Sequence, residues 1–146
     1  MLASILILTV SVVLFVYWFR YTCILLLGNT AEHEHSGRIA EVNRLSYPQV
    51  RSQLEAPAQD LALDVLHRSL ERDYRILQYL LRHSAGGGQT IEQRLLMVDY
   101  HLMGIWFRVT RPFSRARATQ SLQEISSILG FLAEKMGERV ASAAQA

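Results

Sequence analysis

Residues 1–19, MLASILILTVSVVLFVYWF, carry no charged side chain, and their small polar groups are only Ser4, Thr9 and Ser11. A span of a bilayer needs about 20 apolar residues at a rise of about 1.5 Å each. Residues 2–21 meet that requirement, and the run resumes as Thr22-Cys23-Ile24-Leu25-Leu26-Leu27 before Gly28-Asn29, a pair suited to a helix C-terminus. The stretch 1–27 therefore reads as a transmembrane anchor. Tyr17, Trp18, Arg20 and Tyr21 are the expected interface residues. Aromatic rings with a polar edge favour the headgroup level, and an Arg can extend its guanidinium to water from a few residues inside. The absence of a basic stretch before the apolar run, the length of that run and the lack of an A-x-A site all oppose a cleaved signal sequence. The segment is expected to stay attached.

Orientation follows from the basic residues flanking the anchor. Its N-terminal side offers only the α-amine, whereas Arg20, Arg38, Arg44 and Arg51 lie at or beyond its other end. The positive-inside rule then places the N-terminus outside and the remainder in the cytoplasm, with a bacterial inner membrane as the expected location. The net charge of +2 is too mild to imply nucleic acid. The single cysteine, Cys23, forbids an intrachain disulfide. A small side chain at a membrane-helix contact accounts for it, ahead of a lipidation site.

Beyond the anchor, residues 28–56 read as a connector of short helices. Thr30 is a candidate N-cap for a turn over 31–35, Ser36-Gly37 interrupts it, and Ile39, Val42 and Leu45 recur at helical spacing. Pro48 suits the first turn of a helix over 48–55. Residues 57–146 read as an antiparallel three-helix bundle, so the fold class is all-α. The first bundle helix, about 57–84, carries Leu63, Leu66, Leu70, Leu77 and Leu81 on one stripe and ends at Ala85-Gly86-Gly87-Gly88. The second, 91–111, opens with Thr90 and Gln93 in capping-box register. Ile91, Leu95, Val98, Leu102, Ile105 and Val109 are spaced 4, 3, 4, 3, 4, the seam of helix-on-helix packing. The third, from Ser114 to Gly137 or beyond, repeats that spacing with Ala118, Leu122, Ile125, Leu129, Leu132 and Met136. It also carries Ser126, Gly130, Ala133 and Gly137 on another face, where a helix can approach closely.

Four features carry the functional expectations. The second bundle helix bears another apolar stripe, Leu96, Tyr100, Met103 and Phe107, about 150° from the first. A helix in a small bundle needs one such stripe, so this second one is assigned to a docked partner, with coverage by the connector as the competing structural role. Arg94, His101 and Arg108, each seven residues apart, lead into Arg111, Arg115 and Arg117 beside Trp106, Phe107 and Phe113. That basic cluster suits anionic headgroups or acidic residues of a partner. Asp73 falls on the leucine side of its helix, where a carboxylate requires a cation or several donors. An Arg of a neighbouring helix is the expected partner. Finally, the five histidines form no metal pattern. His33 and His35 stand two apart, His67, His83 and His101 fall on separate faces, and no C-x-x-C-H, H-E-x-x-H, phosphate-loop or nucleophile-elbow motif occurs.

No cofactor, metal, catalytic residue or small-molecule substrate is therefore expected. The best-supported role is a non-catalytic, single-pass accessory or assembly subunit of a larger integral membrane complex, whose partners are integral membrane subunits and the bilayer. The alternative is a membrane-tethered helical module that binds anionic lipid or a soluble partner. A bundle carrying haem or metal through one of the histidines is a weaker option.

Overall fold

The computed structural model describes residues 1–28, 34–56, 62–84 and 88–146. Every described element is helical: α1 (Leu2–Gly28), α2 (Glu34–Val42), α3 (Tyr47–Glu55), α4 (Leu63–His83), α5 (Ile91–Thr110) and α6 (Arg115–Gln145). The chain divides into two compact units, Met1–Ala31 and Glu32–Ala146. The proposed Thr30 cap, the helix start at Pro57 and all of the Ala85–Gly88 turn but Gly88 lie outside the described residues.

The first unit is essentially α1. Its 27 residues include a window of mean hydropathy 2.4, so the helix is long and apolar enough to cross a membrane. At about 1.5 Å per residue it reaches about 40 Å, beyond the roughly 30 Å of a hydrocarbon core. Both of its threonine hydroxyls bond back to the helix backbone. Thr9 Oγ1 donates to the Ile5 carbonyl at 2.8 Å and Thr22 Oγ1 to the Trp18 carbonyl at 3.0 Å.

In the second unit, α6 is the central element, and α2, α3, α4 and α5 all pack against it. The short helices of 34–55 are thus part of the core and not a connector outside a three-helix bundle. The expected stripes of α4 and α6 are buried: Leu70 and Leu77 are fully enclosed on α4, as are Ala118, Leu122, Leu129 and Leu132 on α6. The backbones of α4 and α5 stay more than 8 Å apart. Their junction is built from rings: Tyr74 stacks on Tyr100 with centroids 3.8 Å apart, and His67 on Phe107 at 4.7 Å.

Two buried carboxylates recruit the short helices. Asp73 Oδ2 accepts the backbone N–H groups of Ser46 (2.5 Å) and Tyr47 (2.6 Å), the first turn of α3. Its partner is therefore a helix N-terminus and not the arginine expected from sequence. Backbone donors satisfy a carboxylate at a helix start, where the aligned peptide dipoles also favour negative charge. Burial pushes the Asp73 carboxyl above its ordinary range, against the pull of the two N–H donors. Glu134 of α6 does the same for α2. It accepts from the N–H of His35 (3.0 Å), the N–H of Ser36 (2.7 Å) and the His35 ring at Nδ1 (2.9 Å). This capping explains why Ser36-Gly37 does not interrupt a helix: it forms the first turn of α2. The close approach of α2 uses the small-residue face of α6, where a Cβ on Gly137 would lie 2.3 Å from His35 Cβ.

Just past the end of α2, Arg44 adopts φ 52°, with Leu45 N–H donating to the Ala40 carbonyl at 2.8 Å. That six-to-one bond with a left-handed residue is the Schellman stop. At the other end of the unit, Arg139 of α6 ties the α4–α5 connection. Its guanidinium donates to the Leu81 carbonyl (3.3 Å), Ser84 Oγ (3.3 Å), the Gly88 carbonyl (3.4 Å) and Gln93 Oε1 (3.0 Å). Gln93 and Thr90 form the expected capping box of α5.

Candidate functional site

α5 has two apolar stripes, and the structure uses them in the opposite sense to the one the seam spacing suggests. Leu96, Tyr100, Met103 and Phe107, expected to dock a partner, are 0–8 % exposed and form core. Ile91, Val98, Ile105 and Val109, expected to form core, are 75, 58, 59 and 54 % exposed, with Leu95 and Leu102 half-buried between them. Side-chain size accounts for the reversal. Two helices held more than 8 Å apart by α6 meet only through long or aromatic side chains, and Tyr100, Met103 and Phe107 reach where Val and Ile do not. Rings also bury more area per residue. Spacing alone cannot distinguish the stripes, because both repeat with the same helical period.

The outward stripe continues past the helix end. Trp106 is 47 % and Phe113 86 % exposed. Arg94 and Arg108 are exposed along one edge, and Arg111, Arg115 and Arg117 are exposed around the α5–α6 connection. Arg111 is ion-paired to Asp64 at the first turn of α4, so one member of the basic cluster also braces the fold. Ser114 caps α6, accepting from the Arg117 N–H at 3.4 Å. The membrane-interface candidates all lie on α1: Tyr17, Trp18 and Tyr21 are exposed and Arg20 is half-buried.

Beside the outward stripe runs a groove between α4 and α5 of about 330 Å³. His67, Glu71, Tyr74 and Arg75 line it from α4, and Tyr100, His101, Ile105 and Arg108 from α5. His67 and His101, which looked unrelated in the sequence, thus share one depression. His101 Nδ1 bonds the Met97 carbonyl at 2.7 Å. His67 is held below the ordinary imidazole range by burial, with Glu71 opposing and Arg108 reinforcing the effect. Arg75 and Glu71 are paired at 2.9 Å. Burial likewise pushes the Tyr74 and Tyr100 hydroxyls up, so both stay neutral. Among the described residues, no three His, Cys, Asp or Glu side chains gather in a way that could hold a metal.

Sequence reasoning missed Glu134 and Arg139. Glu134 left a signal: it stands four residues after Gly130 and three before Gly137, a carboxylate on the small-residue face. Arg139 left none, since its four acceptors lie 46–58 residues away and two of them are backbone carbonyls. No family model, curated protein or solved structure matches the chain.

Proposed function

We propose that this chain is a non-catalytic accessory subunit of a larger integral membrane complex. It is anchored by α1, and its helical unit faces the cytoplasm and docks a partner subunit through the outward stripe of α5. One observation carries this reading. Ile91, Val98, Ile105 and Val109 stand more than half exposed at helical spacing on an element whose other face is already committed to core. Isolated exposed apolar residues need no explanation, but a contiguous stripe rimmed by charge marks a contact site. α1 supports the membrane setting by its length and composition, and Arg38, Arg44 and Arg51 support a cytoplasmic side by the positive-inside rule.

The experiment is native purification of the full chain from its own membranes. The chain should co-migrate with a large complex at fixed stoichiometry. Val98→Glu combined with Ile105→Glu should release it while leaving its helicity and melting temperature unchanged. A chain that migrates alone as a monomer contradicts the reading.

A second reading draws on the exposed Arg108, Arg115 and Arg117 beside Trp106 and Phe113. Basic residues near aromatic side chains favour an anionic bilayer surface, at about 1 kcal/mol for each basic side chain. Salt-sensitive binding of the monomer to anionic vesicles supports that alternative.

A further inference from the structure

We infer that the segment docking on α5 is an amphipathic helix carrying carboxylates along one flank, and that those carboxylates enter the α4–α5 groove. This rests on the docking reading above and adds the chemistry of the partner.

The repeat along Ile91, Leu95, Val98, Leu102, Ile105 and Val109 alternates four and three residues over nearly three heptads. On an α-helix these positions form a strip about 80° wide, the width of a seam matched to one facing helix. A helix lying in a bilayer interface presents a broader apolar face with basic residues on both sides. Here the charge is one-sided. Arg94, His101 and Arg108 border one edge, whereas Glu92 and the ring of Trp106 border the other.

The basic edge is also the edge that opens into the groove. Arg108 and His101 line it from α5, and Arg75 stands opposite on α4, its guanidinium 2.9 Å from Glu71. Gly104 lines it as well, and a Cβ there would meet nothing within 4 Å, so the groove has open space at its centre. Two arginines facing a single carboxylate leave the groove an excess of positive charge that an incoming acid neutralises. A second copy of α5 fits poorly. Antiparallel pairing sets the basic edges against each other, and parallel pairing sets Arg94 towards Asp99, which is fully buried in its own chain.

The test uses the full chain in neutral phosphatidylcholine nanodiscs and two labelled helical peptides with a Leu/Ile heptad seam. One has Glu along a single flank and the other has Lys at the same positions. Fluorescence anisotropy should show the Glu peptide binding about tenfold more tightly, about 1.4 kcal/mol. Arg108→Glu, an exposed position, should reverse the preference, with an unchanged melting curve as the folding control. Gly104→Leu, which fills the groove, should abolish the preference while leaving seam-driven binding of both peptides. Equal affinities for the two peptides in the unaltered chain would overturn the acidic-partner inference. Binding to phosphatidylglycerol vesicles and to neither peptide would overturn it in favour of lipid. The docking reading fails separately, if Val98→Glu with Ile105→Glu stays in the native complex.

Discussion

The two faces of α5 are both apolar and repeat at the same period, yet one is core and the other is surface. Leu96, Tyr100, Met103 and Phe107 close onto α4 and α6, whereas Ile91, Val98, Ile105 and Val109 point away. The difference is reach. The inner stripe has side chains long enough to bridge the gap between α4 and α5, and α4 supplies matching rings in His67 and Tyr74. An apolar stripe therefore signals that a helix needs a partner on that side, but not which partner lies in the same chain.

Phe107→Ala should produce the largest loss, about 3–5 kcal/mol by chemical denaturation, because it opens a cavity in the ring-built junction. A loss below about 1 kcal/mol would show that α4 and α5 do not depend on that junction. Glu134→Ala and Asp73→Ala should each cost about 2–3 kcal/mol, since each leaves buried N–H donors at a helix start unsatisfied. Hydrogen exchange should then rise first in α2 for Glu134→Ala and in α3 for Asp73→Ala. The same exchange pattern in both variants would contradict the assignment of one carboxylate to each helix.

Arg44→Gly should stabilise the fold by about 1 kcal/mol, because glycine adopts the left-handed conformation at that position without a Cβ penalty. Val98→Ala and Ile105→Ala should change stability by no more than about 0.5 kcal/mol, as exposed positions do. A core-like loss at either would break the contrast between the two faces.

A pH dependence tests the packing of His67 against Phe107. His67 has a lowered imidazole pKa, so the stability tied to its neutral form is present above about pH 6.5 and lost as pH falls toward its lowered value. The fall in melting temperature between pH 7.5 and pH 5.5 should be smaller in His67→Phe, which keeps the stack on Phe107. An identical fall in both proteins would contradict the burial of that ring.

The apolar α1 was legible from its uninterrupted uncharged run, and the inner stripes of α4 and α6 because periodicity reports burial when one side of a helix carries most of the large apolar residues. The capping box at Thr90 and Gln93 was legible because its partners are three residues apart. Asp73 was recognised as a buried carboxylate, but its donors come from the backbone of Ser46 and Tyr47, and backbone groups carry no sequence signature. The same holds for Glu134 over α2, and in part for Arg139, whose acceptors include the Leu81 and Gly88 carbonyls. The bundle was expected to hold three helices because 34–55 is short and polar on average. These helices stay in the core through a short set of buried side chains, Ala40, Leu45, Tyr47, Val50 and Leu54, together with two carboxylates and a close approach at Gly137. Which stripe of α5 turns inward is not legible in the sequence, because both share one period and only side-chain size separates them.

The central claim, that the outward face of α5 meets another subunit while the inward face does not, is most directly tested by photo-crosslinking in intact membranes. A benzophenone amino acid replaces Val98, Ile105 or Met103 in turn. Probes at 98 and 105 should crosslink to one defined protein, and the probe at 103 should give only intrachain products. Crosslinks to another protein from position 103, with none from 98 or 105, would contradict the account.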